Sequence, residues 1–447
     1  MFILTCLVAT LIGIILAITW LKLHPFLVLL VAGLVMGFAG GLGPEPVLTA
    51  LTEGFGNTLK SIGIVIACGT IIGTFLERSG AARTLATSIL KKVGQKRAPL
   101  AMNLTGFIVS IPVFCDSGFV ILAALNRVLS RKTGISLAVL SVALATGLYT
   151  THVFVPPTPG PLAAAAALDA DLGLVMLLGL VVAVPTGLVG WLWALFYCKR
   201  FGSIVQDAHD EPVPAPVPEI AEEPSPPLVL SLAPLFIPIV LIALRSVATY
   251  PTAPLGEGLI KQALVFVGHP IIALLGGVFL CFGLKTRQMN DTALDWVAAG
   301  LKQAGVIILI TGAGGAFGNI LRATQIGDIL GQTLVEWKLG IMLPFLMAAF
   351  LKTAQGSSTV AIITTAALVS PLLGALGLTT AVAKALAVLA IGAGAMTVSH
   401  VNDSYFWVVS QFSDMDTGTA LRCFSLATLW QGLAGIATVV VLAQVFA

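Results

Sequence analysis

Apolar residues dominate this sequence, and the side chains able to carry a proton or hold an ion within its apolar runs gather at four short polar interruptions. The first, Ile111-Pro-Val-Phe-Cys-Asp-Ser-Gly118, carries Asp116 and Ser117. The second, Thr150-Thr-His-Val-Phe-Val-Pro-Pro-Thr-Pro-Gly-Pro161, carries Thr151, His152, Thr158 and Gly160. The third holds Lys352, Gln355, Gly356, Ser357, Ser358 and Thr359, and the fourth holds Ser399, His400, Asn402 and Asp403. An ionised group in hydrocarbon costs at least about 2.5–3.5 kcal/mol unless it meets a partner or a wet cavity. Asp116, His400 and Asp403 are therefore candidate proton carriers, and Lys352 is a candidate counter-charge for a ligand carboxylate. The neighbouring hydroxyls and amides are suited to a hydroxylated ligand. Each group also has a plainer reading. Asp116 could cap a half-helix, His400 and Asp403 could pair as a structural hydrogen bond one turn apart, and His152 could be a satisfied core histidine. Lys352 could snorkel to an interface, and the Ser and Thr residues could cap helices.

The elements that must position these groups are long and apolar. Runs of membrane-crossing length recur at 2–21, 25–43, 58–76, 172–197, 227–249, 265–284, 302–320 and 423–446. Between them, 98–132 and 339–374 are each interrupted in the middle by a polar cluster. Basic residues flank both ends of 98–132, so it reads as a re-entrant hairpin whose tip, at Asp116 and Ser117, is tolerated only inside protein or beside a wet cavity. The segment 339–374 reads as a second hairpin from the opposite face. The segments 134–168 and 380–413 are too long for one straight helix and are broken at their polar clusters, the first by four prolines in six residues. Broken helices leave free N–H and C=O groups that can hold ions without water.

A Pro-rich, acidic stretch at 199–226 reads as a solvated linker between an N-terminal repeat, 1–198, and a C-terminal repeat, 227–447. Leu59, Lys60, Gly63, Gly73 and Phe75 recur as Leu301, Lys302, Gly305, Gly315 and Phe317, all 242 residues on. Asp116 aligns roughly with Gln355, and His152 with His400. The loop 77–97 carries Arg78, Arg83, Lys91, Lys92, Lys96 and Arg97 and, like Lys199 and Arg200, belongs on the cytoplasmic side. Its counterpart, 321–338, balances Arg322 and Lys338 with Asp328 and Glu336 and belongs on the other side. Opposite sidedness of equivalent loops predicts an inverted-topology repeat with a midplane site and both termini outside.

Composition agrees. Charged residues make up only 10% and hydrophobic ones 57% of the 447, mean hydropathy is +1.03, and a soluble protein carries roughly 25% charge. A soluble domain is excluded, and the partner solvent is a lipid bilayer. The net charge of +3 is small and dispersed, which argues against nucleic acid. The six cysteines are scattered, with no metal-binding spacing, and no motif calls for a cofactor. Phe2 to Leu21 has no basic leader or cleavage signal and reads as a retained first helix. The fold class expected is an all-α polytopic membrane protein: an inverted-topology repeat with two re-entrant helical hairpins and two broken transmembrane helices.

At the residues Ile111–Leu122 (IPVFCDSGFVIL), His152–Pro161 (HVFVPPTPGP), Gln355–Val360 (QGSSTV) and Ser399–Trp407 (SHVNDSYFW), the chain resembles the gluconate permease family of proton symporters. The likeness includes His24-Pro-Phe-Leu27 and the stretch from Ile62 to Ala81, and runs over nearly the whole chain. It implies an ion-transporter-like fold with a dimerising scaffold and a moving transport domain, residence in the bacterial inner membrane, and a small carboxylate substrate carried with protons. Relatives in that family carry different sugar acids and small hydroxy or amino acids. Many have Glu with apolar neighbours at the first tip, where this chain has Cys115-Asp116-Ser117-Gly118.

The resulting expectation is a secondary transporter importing gluconate or a related hydroxy-monocarboxylate by proton symport. Glycerate, D-serine or Na⁺ coupling is the alternative within the same fold. An intramembrane hydrolase using Ser358 with His400, or Asp116 with Asp403, is a competitor from another class. It lacks HExxH and GxSxG motifs, and a channel reading lacks a filter sequence.

Overall fold

The computed structural model describes residues 2–19, 21–201, 226–249, 258–284, 292–324, 339–401 and 403–446. Most of the expected linker, most of the 321–338 loop and Asn402 lie outside the described residues, as does the side chain of Gln355. Among the described residues every regular element is helical. The first half comprises α1 (Phe2–Thr19), α2 (Pro25–Ala39), α3 (Pro44–Arg78), α4 (Ala81–Val93), α5 (Ala98–Val109), α6 (Cys115–Thr133), α7 (Leu137–Phe154), α8 (Pro159–Ala167) and α9 (Leu172–Phe196). The second comprises α10 (Leu228–Ala248), α11 (Leu259–Val267), α12 (Pro270–Cys281), α13 (Ala293–Ala323), α14 (Met342–Gln355), α15 (Ser358–Val369), α16 (Ala381–Met396), α17 (Ser404–Phe412), α18 (Thr417–Ala420) and α19 (Leu426–Phe446).

The centre of the molecule is α7, buried at every residue from Leu137 to Phe154, with α16 buried from Ala385 to Met396. Backbones come unusually close here. A Cβ on Gly147 would lie 2.1 Å from the Asn103 carbonyl oxygen of α5, so only glycine fits. The Asn103 amide donates to Ala143 O at 2.9 Å and to Thr146 Oγ1 at 3.2 Å, stitching α5 to α7. The periphery is the reverse: α9 exposes Val181, Val184 and Leu188, and α10 exposes Ile237 and Val240. An outer surface this apolar is stable only against lipid tails.

Both hairpins are present, and they point in opposite directions. Lys96 and Arg97 before α5, Gly134 after α6, and Lys199 after α9 line a single cavity, so the first hairpin begins and finishes at one end of the molecule. The opposite end gathers the last residues of α8, α13 and α15: Arg322 hydrogen-bonds to Ser370 and to Ala167 O, while Lys384 pairs with Asp169 at 2.9 Å. α7 and α8 together form a 31-residue span from the first end to the second. α6 therefore runs inward from its tip to the first end, and α15 from its tip to the other.

Three further pairs, all 245 residues apart, reinforce the repeat. His24 and His269 cap α2 and α12, each accepting from the amide two residues on. Asp169 and Asp414 both adopt positive φ, 51° and 52°. Asp171 and Asp416 cap α9 and α18.

Helix bounds differ from the hydropathy reading at α3, α13 and the α11–α12 pair. The expected 58–76 lies inside α3, 35 residues long, and 302–320 inside α13, 31 residues long. Their polar ends were cut off by hydropathy, yet they continue as helix because α3 and α13 pack on each other: Asn319 of α13 donates to Ala50 O of α3 at 2.8 Å. The expected 265–284 is two helices, α11 and α12, bent by 64° at Gly268-His269.

Candidate functional site

The second hairpin tip is built around a buried cation. α14 ends at Gln355, and Gly356, at φ +91°, turns the chain through a conformation that side chains disfavour. Ser357 then caps α15, its hydroxyl accepting from Val360 N at 3.3 Å. Lys352, in the last turn of α14, is fully buried. Its ammonium donates to the Gly356 carbonyl and to Asp403 Oδ2, the latter at 2.5 Å.

Asp403 sits where the second broken helix resumes. Val398, at φ +53°, lies in the break, and Asp403 caps α17 with Oδ1 accepting from Tyr405 N at 3.1 Å. Its Oδ2 accepts from Ser399 Oγ as well as from Lys352, so both oxygens are occupied. Ser399 is in turn fixed by its N–H to Thr428 Oγ1 of α19, 2.9 Å. α7 closes the other side: Lys352 Nζ lies 5.9 Å from the centroid of the Tyr149 ring. The Tyr149 hydroxyl bonds to Ser358 and donates to Ala395 O at 3.3 Å.

The first tip supplies a carboxylate with a different environment. Asp116 begins α6, and its Oδ1 is buried with no hydrogen-bond partner, while Cys115 Sγ approaches Oδ2 at 4.0 Å. The carboxylate lies within the electrostatic reach of both Asp403 and Lys352, which brings the two tips together. Ser117 is held by a hydrogen bond to Glu77 at the end of α3. His152 of α7 is buried, with Nδ1 unpartnered, its ring 5.8 Å from that of Phe114 at the first tip. It too lies in the field of Asp403 and Lys352.

Other candidates have structural partners. Thr151 donates to Phe107 O at 2.8 Å, and Thr158 to Val155 O at 2.7 Å. Gly160 lets α8 approach α15, since a Cβ there would meet Ile362 at 2.9 Å. Thr359 is half-buried on the first turn of α15. The expected side-chain pair of His400 with Asp403 is not formed. Lys352, Ser399 and the Tyr405 amide take the carboxylate, and His400 Nε2 instead meets Thr353 O at 3.0 Å. The Ser358–His400 couple of a hydrolase is likewise not formed, Ser358 being bonded to Tyr149.

Tyr149, Tyr405 and Glu77 were not anticipated. Tyr405 packs 5.3 Å from Tyr149 and donates to Ala145 O at 3.0 Å. A signal did exist: the chain has four tyrosines, and Tyr149 lies three residues before His152, on the same helical face.

The arrangement is thus a buried, fixed cation within electrostatic reach of a carboxylate that keeps one oxygen free, framed by hydroxyls from both halves. Comparison with known proteins decides the family, because the GntP family permease profile matches residues 1–445. The chain belongs to the GntP permease family. An uncharacterized permease of Haemophilus influenzae is 37% identical over 433 residues, 94% of this chain and 88% of that one. A gluconate permease of Pseudomonas aeruginosa is 33% identical over 446 residues, 98% of this chain and 96% of that one. A D-serine transporter of Escherichia coli is 33% identical over 440 residues, 97% of this chain and 95% of that one. Further relatives in Escherichia coli include an inner membrane permease, a high-affinity gluconate transporter and an L-idonate transporter.

The crystal structure of the Alcanivorax borkumensis YdaH transporter, described as having an unusual topology, superposes with a TM-score of 0.61 at 14% identity, covering 90% of each chain. That likeness concerns the fold. The GntP chain described here is a multi-pass transporter of the bacterial inner membrane, not an enzyme.

Proposed function

We propose that this GntP permease imports a small hydroxylated monocarboxylate, gluconate or a close relative such as glycerate or D-serine, together with a proton. The observation that carries the reading is the buried Lys352–Asp403 pair of the second tip within electrostatic reach of Asp116 at the first, whose buried Oδ1 has no hydrogen-bond partner. Relatives named as gluconate, L-idonate and D-serine transporters support the substrate class. In this reading Lys352 meets the substrate carboxylate. Ser357, Ser358, Thr359 and Ser399 meet its hydroxyls, with Ser117 at the margin; Gln355 and Asn402 are proposed for the same task from the sequence. Asp116 takes the coupling proton; Asp403 is tied up in holding Lys352, and His400 serves the tip backbone.

Charge arithmetic makes the coupling. With Asp116 ionised, Lys352, Asp403 and Asp116 sum to −1, and an entering carboxylate would raise this to −2. Protonating Asp116 removes one negative charge, so proton and anion favour each other's binding, the reciprocity that coupling needs. For a monoanion such as gluconate or glycerate the site then carries −1 both empty and loaded, and one-to-one symport with a proton is electroneutral; for zwitterionic D-serine the same step moves one positive charge. Alternating access moves the tips relative to the scaffold, and a homodimer formed through that scaffold belongs to the same reading.

The test is uptake into proteoliposomes of gluconate, other sugar acids, glycerate and D-serine, with and without an inward proton gradient. The expected result is saturable accumulation of one acid that collapses with the gradient and, for a monoanion such as gluconate or glycerate, is indifferent to an imposed voltage. Accumulation driven by Na⁺ instead would replace the proton, and gradient-independent equilibration would point to a channel.

A further inference from the structure

A cavity of about 480 Å³ at the basic end of the molecule takes no part in the site above. Lys96, Arg97 and Lys199 are exposed at its rim, and no acidic side chain lines it among the described residues. Its walls are apolar, with Pro99, Val139 and Leu195 among them. Two lining groups are buried polar atoms without a hydrogen-bond partner, Ser136 Oγ and Trp191 Nε1. Buried donors are ordinarily satisfied, so each calls for a partner from outside the chain. Two helices also begin here. Arg97 stands before α5 and Ser136 before α7, and neither side chain caps its helix. At α7 the first amides and the positive dipole end have no side-chain cap; at α5 Ala98 N–H is taken by Gln95 O and Pro99 has no N–H, so that helix offers only its dipole.

We infer that this cavity holds the phosphodiester headgroup of an anionic membrane phospholipid. The three cations and the start of α7 are opposite in sign to the single negative charge of the phosphodiester, Trp191 Nε1 and Ser136 Oγ supply two neutral donors, and the apolar walls receive the start of the acyl chains. Free phosphate would leave those walls unfilled. The location fits too, because basic residues with tryptophan mark the cytoplasmic interface, where anionic lipids concentrate. Lipid bound here would tie the first hairpin, through Lys96, Arg97 and Ser136, to the end of α9 at Lys199, bracing the hairpin's base while its tip works.

The full-length protein, purified in neutral detergent, tests this by thermal shift and native mass spectrometry with added phosphatidylglycerol, phosphatidylcholine or inorganic phosphate. Phosphatidylglycerol is expected to stay bound and raise the melting temperature, phosphatidylcholine and phosphate not. Each Lys or Arg near a lipid surface contributes about a fivefold factor, so Lys96→Gln with Arg97→Gln and Lys199→Gln should weaken phosphatidylglycerol on the order of 100-fold. Trp191→Phe keeps the wall and deletes one donor, and should weaken phosphatidylglycerol while leaving phosphatidylcholine unchanged. Equal stabilisation by both lipids, an equal effect of inorganic phosphate, or an unchanged lipid preference in the variants would each overturn the inference.

Discussion

The two hairpin tips occupy equivalent places in an inverted repeat, yet they treat charge in opposite ways. At the second tip, Lys352 is neutralised by Asp403 and each oxygen of that carboxylate is bonded. At the first, Asp116 keeps a buried oxygen with no partner. A paired buried ion is locked, because removing its partner strands a charge; an unpaired one can change protonation at little structural cost. In the proposed function the difference gives unlike tasks to like positions: the second half supplies the paired cation that meets the substrate, the first the carboxylate that takes the coupling proton. Geometry is repeated and chemistry is divided.

The largest effect should come from breaking the locked half. Lys352→Ala leaves Asp403 buried alone and should cost about 3–5 kcal/mol of stability and abolish uptake. Lys352→Met with Asp403→Leu should recover the melting temperature but not transport, as measured by thermal shift alongside proteoliposome uptake. Recovery of transport by that double variant would remove the cation from the account.

Next come the glycines that shape each tip. A Cβ on Gly73 would sit 2.5 Å from Pro112 O, pressing the first tip from α3. Gly73→Ala should cost roughly 1–3 kcal/mol and slow transport several-fold. Gly356→Ala strains a backbone at φ +91° in the second tip and should cost about 1–2 kcal/mol. A change in substrate affinity is expected from Gly356→Ala, whose carbonyl accepts from Lys352, more than from Gly73→Ala; binding assays on both variants check this.

The smallest effects compare the repeated caps. Asp171→Ala and Asp416→Ala should each lose about 1 kcal/mol. Asp171 should lose somewhat more, because its extra bond, from Ser246 Oγ at 2.8 Å, ties α9 to α10, whereas the extra bond Asp416 accepts, from Thr419 Oγ1 at 2.6 Å, stays within its own turn. Equal melting temperatures for the two variants would show that this extra bond contributes nothing.

Much of this was legible in the sequence wherever polarity interrupted hydropathy. Asp116, Lys352, Ser399 and Asp403 drew attention because a charge or hydroxyl in an apolar run needs a partner, and they do assemble. The partner of Asp403 was misread. His400 is near in sequence, and its carbonyl does accept from Asp403 N–H at 2.8 Å, but its ring turns to Thr353 O, and a cation 51 residues away arrives only when the second tip folds against the break. Helix ends in α3 and α13 were lost for a related reason, since hydropathy registers polar residues but not the neighbouring helix that accommodates them. The pairs 245 residues apart were legible as His24-Pro25 against His269-Pro270 and Asp169-Ala-Asp171-Leu-Gly173 against Asp414-Met-Asp416-Thr-Gly418, and were missed because their offset differs from the 242 of the first matches.

The most direct test of the division between the tips is Asp116→Asn in proteoliposomes, scored for gradient-driven accumulation and for substrate exchange at equal pH on both sides. The account predicts that exchange survives while accumulation against a gradient is lost, since the asparagine mimics the protonated carboxylate permanently. Accumulation at the wild-type level would contradict it and move the coupling proton to another group.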